Sequence, residues 1–178
     1  MAISPSLKDN PNLDQWIAIA ADGTVRVRSG KVDLGQRIST ALAVIAGEEL
    51  NIDPARIVIE SPDTRNDPDE GMTTGSNSMQ HSGNALRCAA ATAKRVLLDK
   101  AAAHFETGVD QLTFDDGLIG VAGTNRSISL GELAGGEPFG VPVDPDAAVK
   151  APADYRWIGQ AFAAYGGHSF ALNRQALD

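Results

Sequence analysis

Thiol chemistry is almost absent from this chain, in which Cys88 is the single cysteine. One thiol excludes an internal disulfide, a thiolate-built zinc centre and the ligation of an iron–sulfur cluster. Histidine is nearly as scarce: His81, His104 and His168 lie far apart and form no metal-spaced pair. Lysine and arginine form no cluster, the formal net charge is -8 and the isoelectric point is about 4.8. Neutralising phosphates requires clustered cations, so nucleic acid is excluded as a partner. No apolar run is long enough to span a bilayer. No charged-then-apolar leader follows Met1, and no internal repeat is present. These absences point to a soluble protein of the cytoplasm, or of the periplasm if a leader has been removed.

What remains is an ordinary globular balance, 43% hydrophobic and 21% charged over 178 residues, enough for one domain with a real core. Residues 1–13 are polar, carry Pro5 and Pro11, and read as a flexible arm. Residues 14–134 read as one α+β domain, 135–153 as a Gly/Pro/Asp-rich linker and 154–178 as a partly ordered C-terminal tail without clear periodicity. Within the domain, two runs around Ile17 and Val25 are joined by Asp22-Gly23, the strongest short hairpin signal. Ile38, Leu42, Ile45 and Ala46 share one face of a helix that reaches Asn51, and this reading leaves Glu48 and Glu49 on its solvated face. Asp53-Pro54 stops that helix, and Ile57-Val58-Ile59 forms a short buried strand. Asp67, Asp69 and Glu70 lack the spacing of a calcium loop and read as a solvated acidic loop. A long alanine-rich helix follows, from about Met79 to Phe105, with Gly108 ending it and Cys88 inside it as a small buried hydrophobe. Three short strands come next, two of them joined by Asp116-Gly117, and then a helical turn capped by Ser129 and Glu132. The architecture expected is α+β: a small, mostly antiparallel sheet packed with two helices, the second long and Ala-rich, plus a small β addition over residues 111–128.

Two stretches carry the functional signal. Gly71 to Arg87 begins as a small-residue, hydroxyl-rich loop and runs directly into the long helix. Thr73, Thr74, Gly75, Ser76, Asn77 and Ser78 offer backbone N–H groups and hydroxyls with little bulk, over a helix N-terminus suited to an anion or an oxygen-rich ligand. Read alone, such a loop is more often an N-cap and a turn. The second stretch, Gly30 to Arg37, also opens a helix; Gly30 and Gly35 permit unusual backbone geometry, and the Gln36 carboxamide both donates and accepts hydrogen bonds.

Taken in order, these two loops resemble those of the molybdenum hydroxylases, the xanthine dehydrogenase and aldehyde oxidase family. The likeness is to the large molybdopterin-binding subunit of the isoquinoline 1-oxidoreductase and nicotinate dehydrogenase type, N-terminal portion only. It rests on Gly30-Lys31-Val32-Asp33-Leu34-Gly35-Gln36 with Thr40-Ala41-Leu42 and Glu48-Glu49-Leu50, then on Gly71, Thr73 to Ser76, Ser78, Gly83 and Ala85-Leu86-Arg87, and on Asp154 to Gly159. It covers about residues 12–160; either loop alone is a weak signal and the pair is specific. The resemblance implies a molybdenum–molybdopterin cofactor, with Gly35 and Gln36 near the metal's ligands or the pterin. It places Thr74, Gly75, Ser76 and Ser78 on the pterin and phosphate side. It implies no catalytic residue and no protein metal ligand in this chain, because the family's general-base glutamate belongs to a later motif. The partners implied are the remainder of the large subunit and an iron–sulfur subunit, and the family reaction hydroxylates aldehydes or N-heterocycles. Arg37 departs from the pattern, standing where the family usually has glycine; its bulk and charge either obstruct the site or contact a phosphate. Two other classes are weighed beside this one: a truncated, non-catalytic α+β module that has lost the cofactor, and an interaction protein that self-associates through the alanine-rich helix.

Overall fold

The Asp22-Gly23 hairpin forms as its residues dictate. In the computed structural model, which describes residues 3–60 and 62–162, β1 (Ile17–Ile19) pairs antiparallel with β2 (Val25–Val27), Ile17 opposite Val27. Gly23 takes φ +84° at the turn, where a side chain is strained. Val25 and Val27 are buried while Arg26 is exposed, the period-2 alternation of a one-sided sheet. The chain then crosses over through helix α2 (Ile38–Leu50) to β3 (Ile57–Ile59), which lies parallel to β2. This parallel pair is one departure from an otherwise antiparallel arrangement; a β–α–β crossover is the connection that parallel neighbours require.

Helix α3 (Asn84–Phe105) is the central element. Ala85, Leu86, Ala89, Ala90, Ala93, Leu97 and Ala101 are fully buried along one of its faces, so small side chains let α2 and both sheets approach. Before it, Ser78–Gly83 winds as a π-helical turn, and a Cβ at Gly83 would stand 3.3 Å from Ile45 of α2. The helix ends at Glu106, in the left-handed conformation (φ +54°), with the Thr107 N–H donating to the Ala102 carbonyl at 3.0 Å. Gly108, expected to be the stop, instead begins the next turn at φ -74°. A second sheet follows, with β4 (Leu112–Asp115), β5 (Leu118–Val121) and β6 (Ser127–Ser129) antiparallel throughout. Asp116 (φ +46°) and Gly117 (φ +80°) make its first turn. The Ser129–Glu132 capping box opens α4 (Leu130–Ala134).

Two segments behave differently from the sequence reading. The expected arm contains a short helix, α1 (Pro5–Asp9), and its Leu7 and Leu13 are 4% and 0% exposed. It pairs with the segment expected to be a linker. Leu13 N–H donates to the Val141 carbonyl, Val143 N–H donates to the Pro11 carbonyl, and the Asp14 carboxylate accepts from the amides of Phe139 and Gly140. Phe139 and Val143 are buried there. Polar composition hid this pairing because the partners lie over a hundred residues apart in sequence.

The second correction concerns Glu48 and Glu49, which are 0% and 3% exposed rather than solvated. Glu48 accepts from the amides of Arg156, Trp157 and Ile158 and pairs with the Lys150 ammonium. Glu49 accepts from Arg87 Nε at 2.8 Å and from the Lys150 amide at 2.9 Å. Burial alone pushes the Glu48 carboxyl up, but the Lys150 ammonium and the three amides outweigh it and bring it down to about 2. Cys88 is half-buried, and burial pushes its thiol up against the opposing pull of Arg87. Among the described residues no helix is long and apolar enough to cross a membrane. The tail reading over 163–178 lies outside the described residues.

The packed N-terminal segment makes a sharp expectation for Leu13. Truncating this fully buried side chain, Leu13→Ala, lowers unfolding free energy by about 2–5 kcal/mol in urea denaturation. A change within about 0.5 kcal/mol, the surface value, is the result an unpacked arm requires.

Candidate functional site

The two loops singled out from the sequence are neighbours in space. Val32 N–H donates to Thr73 Oγ1 at 2.9 Å, and the Lys31 ammonium reaches the carbonyls of Glu70 and Met72 at 2.6 and 3.1 Å. Lys31 is only 5% exposed, so its charge is held by these carbonyls below the loop surface.

Beneath them lies a polar clasp that the sequence reading missed. Glu70 Oε2 accepts from the Gly30 amide and the Ser29 hydroxyl at 2.9 Å, and from the Ser82 hydroxyl at 3.1 Å. The Ser29 and Ser82 hydroxyls are themselves 3.0 Å apart, and both side chains are buried. One carboxylate thus ties the end of β2, the start of the second loop and the turn that opens α3. The expectation that Glu70 belongs to a solvated acidic loop is therefore corrected. Its other oxygen, Oε1, is buried without a hydrogen-bond partner among the described residues. A Cβ at Gly30 would sit 2.3 Å from the Pro68 carbonyl, so glycine there is what allows the loops to touch.

The first loop is held by its own side chains. Asp33 accepts from the amides of Gly35, Arg37 and Ser39 at 2.9, 3.2 and 3.1 Å. Partial burial pushes against ionisation there, yet these amides hold the Asp33 carboxyl below its usual range. Gln36 accepts from the Leu34 amide at 2.6 Å and donates to the Val32 carbonyl at 2.9 Å. Its carboxamide keeps one N–H and one lone pair for another group. Gly35 sits at φ +103° with open space where a Cβ would be. Arg37 takes φ +63°, the left-handed region where glycine is at ease and arginine is strained.

The second loop is more open. Gly75 (φ +64°) and Ser76 (φ +57°) are consecutive left-handed residues inside a turn closed by Asn77 N–H to the Thr74 carbonyl at 3.3 Å. Thr74, Gly75 and Ser76 are exposed, and Ser78 begins the π-helical turn that runs into α3. Consecutive backbone N–H groups over a helix start form a concavity that favours an anion. The structure joins the two loops that carry the six expected residues, through Val32 and Thr73: Gly35 and Gln36 lie on one loop, Thr74, Gly75, Ser76 and Ser78 on the other. The two loops and the turn after them also expose apolar side chains: Val32, Leu34, Met72 and Met79 are 41%, 76%, 82% and 48% exposed. A groove of about 300 Å³ beside the clasp is lined by Asp63, Asp67, Asp69 and Glu70 and is electrostatically unsuited to phosphate.

The donor set fits a pterin cofactor with a phosphate arm: free amide and hydroxyl donors on the open loop, a half-used carboxamide on the first loop, and glycines that leave room for backbone approach. No protein ligand to a metal is required of these residues, and among the described residues none group as a metal site.

A family model described as "Molybdopterin cofactor-binding domain" matches residues 1–170. A nicotinate dehydrogenase subunit of Pseudomonas putida is 36% identical over 159 residues, covering 89% of this chain and 13% of that protein. The beta subunit of isoquinoline 1-oxidoreductase from Brevundimonas diminuta is 31% identical over 131 residues, covering 70% and 16%. Among solved structures, reconstituted CO dehydrogenase from Oligotropha carboxidovorans superposes with a TM-score of 0.57 at 32% identity, covering 66% of this chain and 15% of that one. The chain thus spans only 13% and 16% of the length of the two curated relatives.

Two variants probe the clasp and the strained entry to α2. Glu70→Ala removes the oxygen that takes three donors and leaves those donors unsatisfied, and is expected to destabilise the chain by about 2–3 kcal/mol in urea unfolding; an unchanged midpoint means the carboxylate does not hold the loops. Arg37→Gly relieves a left-handed arginine and is expected to stabilise by up to about 1 kcal/mol in thermal unfolding. A lowered melting temperature contradicts that reading.

Proposed function

The chain belongs to the molybdenum hydroxylase family through its molybdopterin cofactor-binding domain, and from that premise we propose that its two joined loops are the first cofactor-holding elements of a hydroxylase large subunit. The observation that supports this is the direct contact of the loop that carries Gly35 and Gln36 with the loop that carries Thr74, Gly75, Ser76 and Ser78, held by the Glu70 carboxylate clasp.

In this reading the residues have distinct tasks. The amides around Gly75 and Ser76 and the Thr74, Ser76 and Ser78 hydroxyls bind the oxygen-rich end of the cofactor at the start of α3. Gln36 directs its remaining N–H or lone pair toward the pterin or the metal's ligands, and Asp33 fixes the loop so that little ordering is left for the moment of binding. Gly35 and Gly75 let the backbone come close. When bound, the molybdenum group supplies the redox chemistry that hydroxylates an aldehyde or N-heterocycle. No residue of this chain is assigned the general base. The exposed Val32, Leu34, Met72 and Met79 suit a surface covered by the remainder of the large subunit, with an iron–sulfur subunit taking the electrons.

Cofactor content tests the assignment. In the protein as purified from molybdate-supplied cells, Gly75→Val forces a branched side chain to a left-handed φ and Gln36→Leu removes both polar ends. Each is expected to lower bound molybdenum and pterin severalfold; a penalty of about 1–2 kcal/mol at Gly75 corresponds to roughly tenfold weaker retention. Full retention in both variants, with the fold intact, overturns the assignment.

A further inference from the structure

Helix α2 has a carboxylate anchor at each end. At its start, Asp33 accepts from the Ser39 amide in the first turn and from the loop amides before it. At its end, Glu48 is fully buried and gathers the amides of Arg156, Trp157 and Ile158 at 2.7–3.0 Å. Those three consecutive amides wrap one carboxylate, a backbone nest built from a segment more than a hundred residues downstream. Glu49, next in the helix, takes the Lys150 amide, while Arg87 bridges Glu49 and the Lys150 carbonyl. The Lys150 ammonium closes on Glu48, and the cations of Lys150 and Arg156 lie over the Trp157 ring at 5.7 and 4.8 Å. The 150–158 strap carries little regular structure and exposes Arg156 and Ile158, so its place is set by these contacts rather than by a core of its own.

We propose that Glu48 is a positioning residue: through the 13-residue rod of α2 it fixes where the 150–158 strap runs relative to the Gly30–Arg37 loop. At about 1.5 Å per residue the rod holds its anchored positions, Ser39 and Glu48, about 14 Å apart. The strap is thereby oriented against the loop that holds the cofactor in the reading above, on which the functional meaning of the proposal rests. Buried carboxylates with several N–H partners lose most when the charge alone is removed, because the donors remain and their acceptor weakens.

Glu48→Gln in the full chain is the test, read by amide hydrogen exchange. The expected result is a loss of protection of about tenfold or more at Arg156, Trp157 and Ile158, the loss of a charged hydrogen bond, with α3 and the sheets unchanged. Unchanged protection of those three amides overturns the proposal. Uniform loss across the whole chain also overturns it, since Glu48 is then a core residue without a local task. Lys150→Met, which keeps the carboxylate and removes its cation, is the milder second variant and is expected to loosen the same amides to a smaller degree. A pH profile separates positioning from bulk packing. The Glu48 value in the fold, about 2, lies below its ordinary 4.5, so its contribution is whole above about pH 4.5 and is lost as pH falls toward 2. Glu49, Arg87, Lys94 and Lys150 are the other charged groups around it. Acrylamide quenching of Trp157 in the native chain is expected to rise across that window, whereas Glu48→Gln is quenched at every pH. Parallel profiles for the two chains contradict the proposal. None of these readouts depends on cofactor, so failure of the cofactor assignment leaves them interpretable, and molybdenum content measured alongside reports on that assignment separately.

Discussion

A buried carboxylate that must find donors organises the functional end of this molecule. Glu70 Oε2 takes the Gly30 amide, just past the end of β2, and hydroxyls from Ser29 and Ser82, and in doing so brings two loops and a helix start to one point. Removing such an oxygen from water is unfavourable unless its lone pairs are satisfied. The loops therefore occupy the positions that satisfy it. Everything exposed above the clasp inherits that placement: the left-handed Gly75 and Ser76, the self-closed Gln36 turn and the strained Arg37.

The same device recurs through the fold. Asp14 holds the amides of Phe139 and Gly140, Asp33 those of its own loop, Asp116 the amide of Asp53, and Glu48 the amides of the 150–158 strap. A chain with a net charge of -8 turns part of its acidity inward, as acceptors for backbone N–H groups in segments that form neither helix nor strand. Around a central helix whose face is mostly alanine, this lets long irregular segments pack closely with their amides held by buried carboxylates. It also explains how segments of polar, Pro/Gly-rich composition at 3–13 and 135–153 come to lie against the core.

What was legible in the sequence was local. Asp22-Gly23 and Asp116-Gly117 specify turns within four residues, and Ser129 with Glu132 specifies a cap within three. The helical spacing of Ile38, Leu42 and Ala46 named the buried face of α2, with Ile45 only half-buried beside Gly83. The two glycine-bearing loops were legible as patterns, and the structure brings them together. What escaped was non-local. Glu48 and Glu49 carry no sign in their neighbourhood of partners 101 to 110 residues away, and Glu70 none of Ser29, 41 residues back. Glutamate at a helix end and in an acidic loop reads as solvated unless its distant donors are known. The end of α3 was missed for a different reason: Glu106 adopts a left-handed cap that composition assigns to glycine.

The family assignment is independent of the loop geometry, and the proposal that joins them is that the two loops hold the cofactor. The most direct measurement is an experimental structure of the protein purified from its own cells with molybdate supplied. The account predicts pterin density against the Thr74–Ser78 turn, with the Gln36 carboxamide within hydrogen-bonding distance of the cofactor and the Glu70 clasp intact beneath. A cofactor bound elsewhere, with both loops turned to solvent or covered by protein alone, contradicts it.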